Sequence, residues 1–205
     1  MDVEFVEQSI DLPTGPLRVL QLRESAELPD VGDVEWAPVA PYWSVLWRSG
    51  VALARELDRV DLRGLRLVEL GCGLALPSVA AARAGATVLA TDACQEALTV
   101  AERNARLNDV VIETATVDWA SPDVLVERGR FDAALAADVL YERQSVHPLI
   151  QLLPRVAREA WIADPGRPAA EVFLEQAADR WSIETQVRGV IRIHHLTPVP
   201  ASRSA

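Results

Sequence analysis

The 205-residue sequence predicts a doubly wound α/β fold, a mostly parallel sheet covered by helices on both faces. Three observations carry that expectation. From Leu67 onward short apolar runs alternate with stretches of helical period. The segment "VELGCGLALPSVAAARAGATVLATDA", residues 68–93, reads as a strand, a glycine-rich turn, a helix, a second strand and a carboxylate. Near the end, "WSIETQVRGVIRIHHLTPV" places two strand-like runs around Gly189 with no helix between them, which predicts an antiparallel pair at the sheet edge.

Taken in order, "VEQSIDLPTGPLRVLQL" predicts two strands around the turn Pro13-Thr14-Gly15, and the acidic, proline-dotted "RESAELPDVGDVEWAPVAP" predicts a loop. From Tyr42, "YWSVLWRSGVALARELDRV" sets Trp43, Trp47, Val51 and Ala54 at helical spacing. Strands are predicted at Leu67–Leu70, Thr87–Ala90, Val111–Ala115, Phe131–Ala137 and Ala160–Ala163. Helices are predicted at Pro77–Arg83, Gln95–Leu107, Ser145–Arg158 and Ala169–Ala178. Residues 1–40 then form an N-terminal hairpin and loop, and residues 41–205 a core, within a single domain.

Composition narrows the function classes. Half of the residues are hydrophobic, enough for one core, and no run approaches the roughly 20 apolar residues that span a bilayer. The start "MDVEFVEQSI" carries acids where a signal peptide carries base, so no targeting segment or membrane association is expected. Cys72 and Cys94 are too few for a metal knuckle or disulfide framework, which predicts a reducing cytoplasm and no metal. The net charge of -10 disfavours nucleic acid and suits a cationic ligand or a basic patch on a protein partner. All 20 basic residues are arginine.

In an open α/β sheet ligands bind beyond the carboxyl ends of the strands, so Gly71 to Ser78, Asp92, Asp118-Trp119 and Ala137-Asp138 should line one crevice. Gly71 and Gly73 permit a sharp turn with exposed amides, and Pro77 suits the first turn of a helix. Asp92 is spaced to accept hydrogen bonds from ribose hydroxyls, or to cap the next helix, a role open to Cys94 as well. The third glycine of G-x-G-x-x-G is replaced by Leu76. A dinucleotide pyrophosphate needs that close backbone approach, whereas S-adenosyl-L-methionine has a ribose and no phosphate, so the loop points to the methyl donor. An aromatic face such as Trp119 or Trp47 beside a sulfonium offers cation-π attraction, and a buried packing role competes most strongly for Trp47.

"VELGCGLALPS", the Thr91-Asp92 pair, "AERNARLN", "VDW" and "FDAALAADVLY" are similar, in order and spacing, to the motifs of seven-strand class I methyltransferases. More narrowly, Asp138-Val139-Leu140-Tyr141 resembles the D-x-x-Y motif of a lysine methyltransferase group, and "PYWSVLWRSGVALA" resembles that group's leading helix. "IADPGR" resembles bacterial enzymes that modify the electron transfer flavoprotein beta subunit. The resemblance covers residues 41–178 and implies a Rossmann-like sheet of seven strands with S-adenosyl-L-methionine as cofactor. It implies that Gly71, Cys72 and Gly73 border the cofactor's amino-acid end, that Asp92 holds its ribose, and that Trp47, Trp119 and Ala137 flank it. Asp138 and Tyr141 become the catalytic candidates, a carboxylate and a phenol able to hold an amine, orient its lone pair and pass its proton to solvent. Without the motif, Asp138 reads as a helix cap and Tyr141 as a half-buried ring. Ala75 departs from the group's G-x-G-x-G, and its methyl is expected to narrow the methionine pocket.

The expected activity is methyl transfer to nitrogen, a lysine side chain of a protein first, with the N-terminal hairpin and residues 23–43 as one wall of the acceptor channel. A small-molecule N- or O-methyltransferase, a non-catalytic binder of the cofactor and a nicotinamide oxidoreductase are the alternatives, in that order. His194 and His195 should face opposite ways on a strand, His147 should lie on a helix surface, and Ser49 and Ser78 lack a histidine partner. Asn104 and Asn108 are expected on a solvated helix face, with Trp161 and Trp181 in the core.

Overall fold

Alternating side chains along the central strands meet two separate helical layers. In β3 (Arg66–Leu70), Leu67 joins one core cluster while Val68 and Leu70 join the other. In β6 (Phe131–Ala137), Ala133 and Leu135 divide in the same way from Ala134 and Ala136. A computed structural model describes residues 4–26 and 41–199. Of the loop predicted over residues 23–41, residues 27–40 lie outside the described residues, and Arg23–Ala26 form a short helix instead.

The chain runs β1 (Phe5–Ile10), β2 (Leu17–Leu22), α1 (Arg23–Ala26), α2 (Arg48–Leu57), β3, α3 (Leu76–Arg83), β4 (Thr87–Asp92) and α4 (Gln95–Leu107). It continues through β5 (Glu113–Thr116), α5 (Asp123–Glu127), β6, α6 (Val146–Val156), β7 (Ala157–Asp164), α7 (Pro168–Ala177), β8 (Trp181–Arg188) and β9 (Ile191–Pro198). Seven strands form one sheet in the order β5-β4-β3-β6-β7-β9-β8, and β1 and β2 form a separate hairpin. Strands β3 to β7 are parallel, while β9 runs antiparallel to both β7 and β8. The order reverses between β3 and β6, where the first crossover leaves in one direction and the chain returns in the other, opening a crevice at the strands' carboxyl ends.

Three expected elements need new bounds, and one helix was not expected. The helix expected from Tyr42 begins at Arg48. Residues Tyr42–Ser44 form a 3-10 turn and Val45 and Trp47 are extended, because this stretch crosses the glycine loop: a Cβ on Gly73 would lie 2.8 Å from the Trp43 carbonyl oxygen. The strand expected at Val111–Ala115 starts two residues later. Asp109 ends α4 in the left-handed region (φ 58°), with Val110 and Asp109 N–H bonded back to Ala105 and Arg106, and Val111 is left exposed. The helix expected to reach Arg158 stops at Val156. Pro154 has no N–H to continue the ladder, and Ala157 pairs with Phe131 in the sheet instead. The five-residue helix α5 is too short to carry a period and was not expected.

Asn104 and Asn108 are not merely solvated. Asn104 is fully buried; its amide accepts from Leu20 N–H (2.7 Å) and donates to the Leu20 and Leu74 carbonyls. Asn108 accepts from Arg18 N–H (2.8 Å) and donates to the Arg18 carbonyl (2.6 Å). Four residues of helix rise about 6 Å and two of strand about 6.6 Å, so amides at i and i+4 meet alternate residues of the free edge of β2. The two side chains stand in for a neighbouring strand and fasten the hairpin to α4.

Asn104→Ala removes the partner of the half-buried Leu20 backbone groups and of the buried Leu74 carbonyl and is expected to cost about 2 kcal/mol of stability. Native-state hydrogen exchange of the Leu20 amide should accelerate with it; unchanged protection of that amide would show that the hairpin is held by packing alone.

Candidate active site

The turn after β3 requires residues free to adopt positive φ. Gly71 (φ 67°) and Gly73 (φ 49°) take it at no steric cost, whereas Ala75 (φ 60°) holds it against a strain of about 1–2 kcal/mol. Ala75 is fully buried within the core cluster, as is Leu76, the first residue of α3. Space matters at the glycines as well: a Cβ on Gly71 would sit 3.1 Å from Val139 and 3.4 Å from the Trp119 ring.

Two carboxylates fix this turn. Asp92, at the end of β4, accepts from Gly73 N–H (3.0 Å) with one oxygen and from Cys94 N–H (2.9 Å) with the other. Helix α4 itself begins after Cys94 without a side-chain cap, so Asp92 ties the loop to the strand end rather than capping α4. A carboxylate has about four lone-pair sites, and two remain on Asp92. The second carboxylate, Glu69, was not singled out by the sequence reading, although an acid inside the apolar run "LVELG" was a readable signal. It is buried in β3 and accepts from the amide of Ser78 (2.9 Å) and from its hydroxyl, the anchor for the first turn of α3. Burial pushes its carboxyl up to about 8, against the two Ser78 hydrogen bonds. Cys72 is raised further, by burial and then by Glu69 and Asp92, and is a neutral thiol.

Across the crevice, Asp138 follows β6 in the left-handed region (φ 57°) and is buried. It caps no following helix. Its oxygens are engaged by Arg167 Nη2 (3.0 Å) and by Ser49 N–H (3.3 Å) in the first turn of α2. Tyr141 is half-exposed and stacks on Tyr42, with ring centroids 5.8 Å apart; Tyr42 in turn stacks on Trp47 at 6.4 Å. Burial, then the charges of Glu142 and Asp92, raise the Tyr141 phenol above its ordinary value, so it is protonated at neutral pH. The Trp47 indole donates to the Tyr42 carbonyl at 3.0 Å.

All nine residues singled out for this site, Trp47, Gly71, Cys72, Gly73, Asp92, Trp119, Ala137, Asp138 and Tyr141, line one open cleft of about 1160 Å³. That volume accommodates a nucleoside-sized ligand with room beside it. Among the described residues, the cleft is lined by four carboxylates besides the neutral Glu69 and by one arginine, Arg167, a balance that favours cationic groups. The histidines lie elsewhere: His194 is buried against Thr185, His195 stacks on half-buried Trp161 and bonds Glu159, and His147 is on the surface. Trp181 is in the core.

A model of the family described as lysine methyltransferase matches residues 21–162. The chain belongs to this family. Among its relatives, the protein N-lysine methyltransferase METTL21A of Danio rerio is 31% identical over 121 residues, 56% of this chain and 55% of that protein. The electron transfer flavoprotein beta subunit lysine methyltransferase of Xenopus laevis is 31% identical over 71% of this chain and 58% of that protein. The histone-arginine methyltransferase METTL23 of Xenopus laevis is 28% identical over 70% of this chain and 65% of that protein. The chain thus spans between half and two thirds of these relatives. Among solved structures, the T. thermophilus 16S rRNA N2 G1207 methyltransferase covers 97% of this chain with 52% of its own length. Its TM-score of 0.70 at 13% identity shows a common fold.

Between its ordinary value of 4.5 and about 8, Glu69 is neutral when folded and charged when unfolded. Its contribution to stability is therefore complete below the lower value and lost as pH rises through the upper one. Thermal melts between about pH 5 and pH 9 should show the wild type losing stability relative to Glu69→Gln as pH rises. A constant difference between the two proteins would contradict the burial account.

Proposed function

We propose that the chain transfers a methyl group from S-adenosyl-L-methionine to a side-chain nitrogen of a protein, lysine first. The observation that carries this reading is the meeting, in one cleft, of the Asp92-held glycine turn with the Asp138 to Tyr141 segment of the opposite strand end. Membership of the lysine methyltransferase family supports it.

The cleft suits the cofactor chemically. Asp92 keeps two lone-pair sites for ribose hydroxyls, Trp119 and Ala137 border the same space, and among the described residues Arg167 is the one basic side chain that lines it, a poor setting for a pyrophosphate. Leu76, buried where a dinucleotide loop has glycine, agrees with that. The methyl of Ala75 is enclosed in the core cluster, so it adds to the cleft wall without standing free in the opening. S-adenosyl-L-methionine supplies an activated methyl on a sulfonium.

The chain's own residues deal with the acceptor. A lysine amine is protonated at neutral pH, with a reference pKa of about 10.4, and must lose that proton before it can act as a nucleophile. Asp138 offers a buried negative charge to hold the ammonium, and protonated Tyr141 offers a hydroxyl beside it; together they orient the amine while its proton passes to solvent. Trp47, Tyr42 and Tyr141 form an aromatic rim that sheds water and attracts a cationic chain. Tyr42 and Tyr141 are 49% and 53% exposed, an open rim that suits a macromolecular acceptor over an enclosed small one. The proposal places the protein and its partner in the cytoplasm, in keeping with the free thiols of Cys72 and Cys94.

Calorimetry should show S-adenosylhomocysteine binding to one site, with the heat lost in Asp92→Ala and absent with NAD. Tyr141→Phe should keep that affinity and lower methyl transfer to lysate protein by about tenfold or more. Binding of NAD in preference to S-adenosylhomocysteine would overturn the reading.

A further inference from the structure

Among the described residues, three buried side-chain atoms lack a hydrogen-bond partner: Ser49 Oγ, Asp164 Oδ2 and Arg167 Nε. Chance would scatter such atoms, yet all three belong to residues gathered around the Asp138 carboxylate. A buried polar atom left unpaired forfeits its hydration for nothing in return, so three of them in one place call for an explanation.

Asp164 ends β7 almost completely buried, and its Oδ1 accepts from the N–H groups of Gly166 (2.6 Å) and Arg167 (2.7 Å). That pins the backbone of the loop and fixes the point from which the Arg167 side chain starts. The guanidinium donates once to Asp138, at the end of the neighbouring strand β6, and lies 5.8 Å from the centre of the Trp47 ring. Surface arginines of this chain do better: Arg18 on Glu7 and Arg188 on Glu56 each make two hydrogen bonds to one carboxylate. Arg167 makes one, with its Nε idle, while the idle Oδ2 of Asp164 stands 4.0 Å from that same Nε. Closing this gap would pair both orphaned atoms at once and free Oδ1 of Asp138.

We propose that Arg167 is a two-seat latch. It occupies Asp138 until a primary ammonium group arrives, then moves to Asp164, so the acceptor site admits cations that can replace a guanidinium and rejects neutral groups that cannot. This rests on Asp138 facing the acceptor, as in the function proposed above. The ammonium inherits a carboxylate already set by Ser49 at the first turn of α2, and Asp138 keeps a cationic partner in either arrangement. A neutral alcohol would leave Asp138 without a cation and pays the full cost of moving Arg167 for no return.

The test uses the whole chain labelled with nitrogen-15 at arginine, and n-butylammonium, the end of a lysine side chain, as the probe. The Arg167 Nε–H resonance is identified by its loss in Arg167→Gln. Adding n-butylammonium should move that resonance downfield as Nε gains a hydrogen bond, whereas n-butanol should leave it in place. Arg167→Gln removes the competitor and should tighten n-butylammonium binding roughly fivefold. Asp164→Asn keeps the Oδ1 acceptor for the loop, removes the second seat, and should weaken binding by a similar factor with no shift of the Arg167 resonance. Equal affinity in the three proteins, an unmoved Arg167 resonance in the wild type, or no binding of n-butylammonium to any of them overturns the latch. S-adenosylhomocysteine binding measured beside it separates the two proposals: a latch that fails while that binding persists leaves methyl transfer standing, and the converse leaves the latch.

Discussion

The site depends on the anchoring of one turn by two acidic side chains, Asp92 and neutral, buried Glu69. Asp92 draws the Gly73 amide toward the end of β4, and buried Glu69 draws the Ser78 amide and hydroxyl toward β3, so the turn between Gly71 and Ala75 is held from both sides. The left-handed backbone at Ala75 persists only because these bonds and the surrounding core determine it. With the turn in place, the Trp43 carbonyl can lie against Gly73 and the Trp119 ring against Gly71, which sets two walls of the cleft.

The opposite wall is organised by charge. Asp138, also in the left-handed region, receives the first turn of α2 through Ser49 and the loop after β7 through Arg167. A negative group near a helix N-terminus is favourable, and here it comes from another strand because α2 has no side-chain cap of its own. The aromatic rim of Tyr42, Trp47 and Tyr141 is thereby attached to the end of β6. Structure and candidate chemistry therefore share the same residues, and the strain at Asp138 sits where function is proposed.

Much of this was legible in the residues. Apolar strands alternating with helices define a doubly wound sheet whatever its sequence details, and the break in alternation at Gly189 marks its antiparallel edge. The site was legible wherever a residue type must occupy a strand end, as with Gly71, Asp92, Trp119 and Asp138. What escaped depended on partners far along the chain. The spacing of Trp43, Trp47 and Val51 suits a helix, but the need to cross the glycine loop overrides it. Asn104 and Asn108 read as solvated until the edge of β2 supplies their partners. Arg167 stands in the quoted "IADPGR", but its role was not readable there, since only the fold brings it to a carboxylate 29 positions away.

The central claim is that this cleft delivers a methyl group to a side-chain nitrogen of another protein. Incubating the purified chain with methyl-labelled S-adenosyl-L-methionine and a bacterial lysate, then mapping the label by mass spectrometry, tests it most directly. The chain contains no lysine, so lysine label cannot arise from its own side chains. The account predicts label on lysine residues of one or a few proteins. Label confined to small molecules, or turnover with none on protein nitrogen, would contradict it.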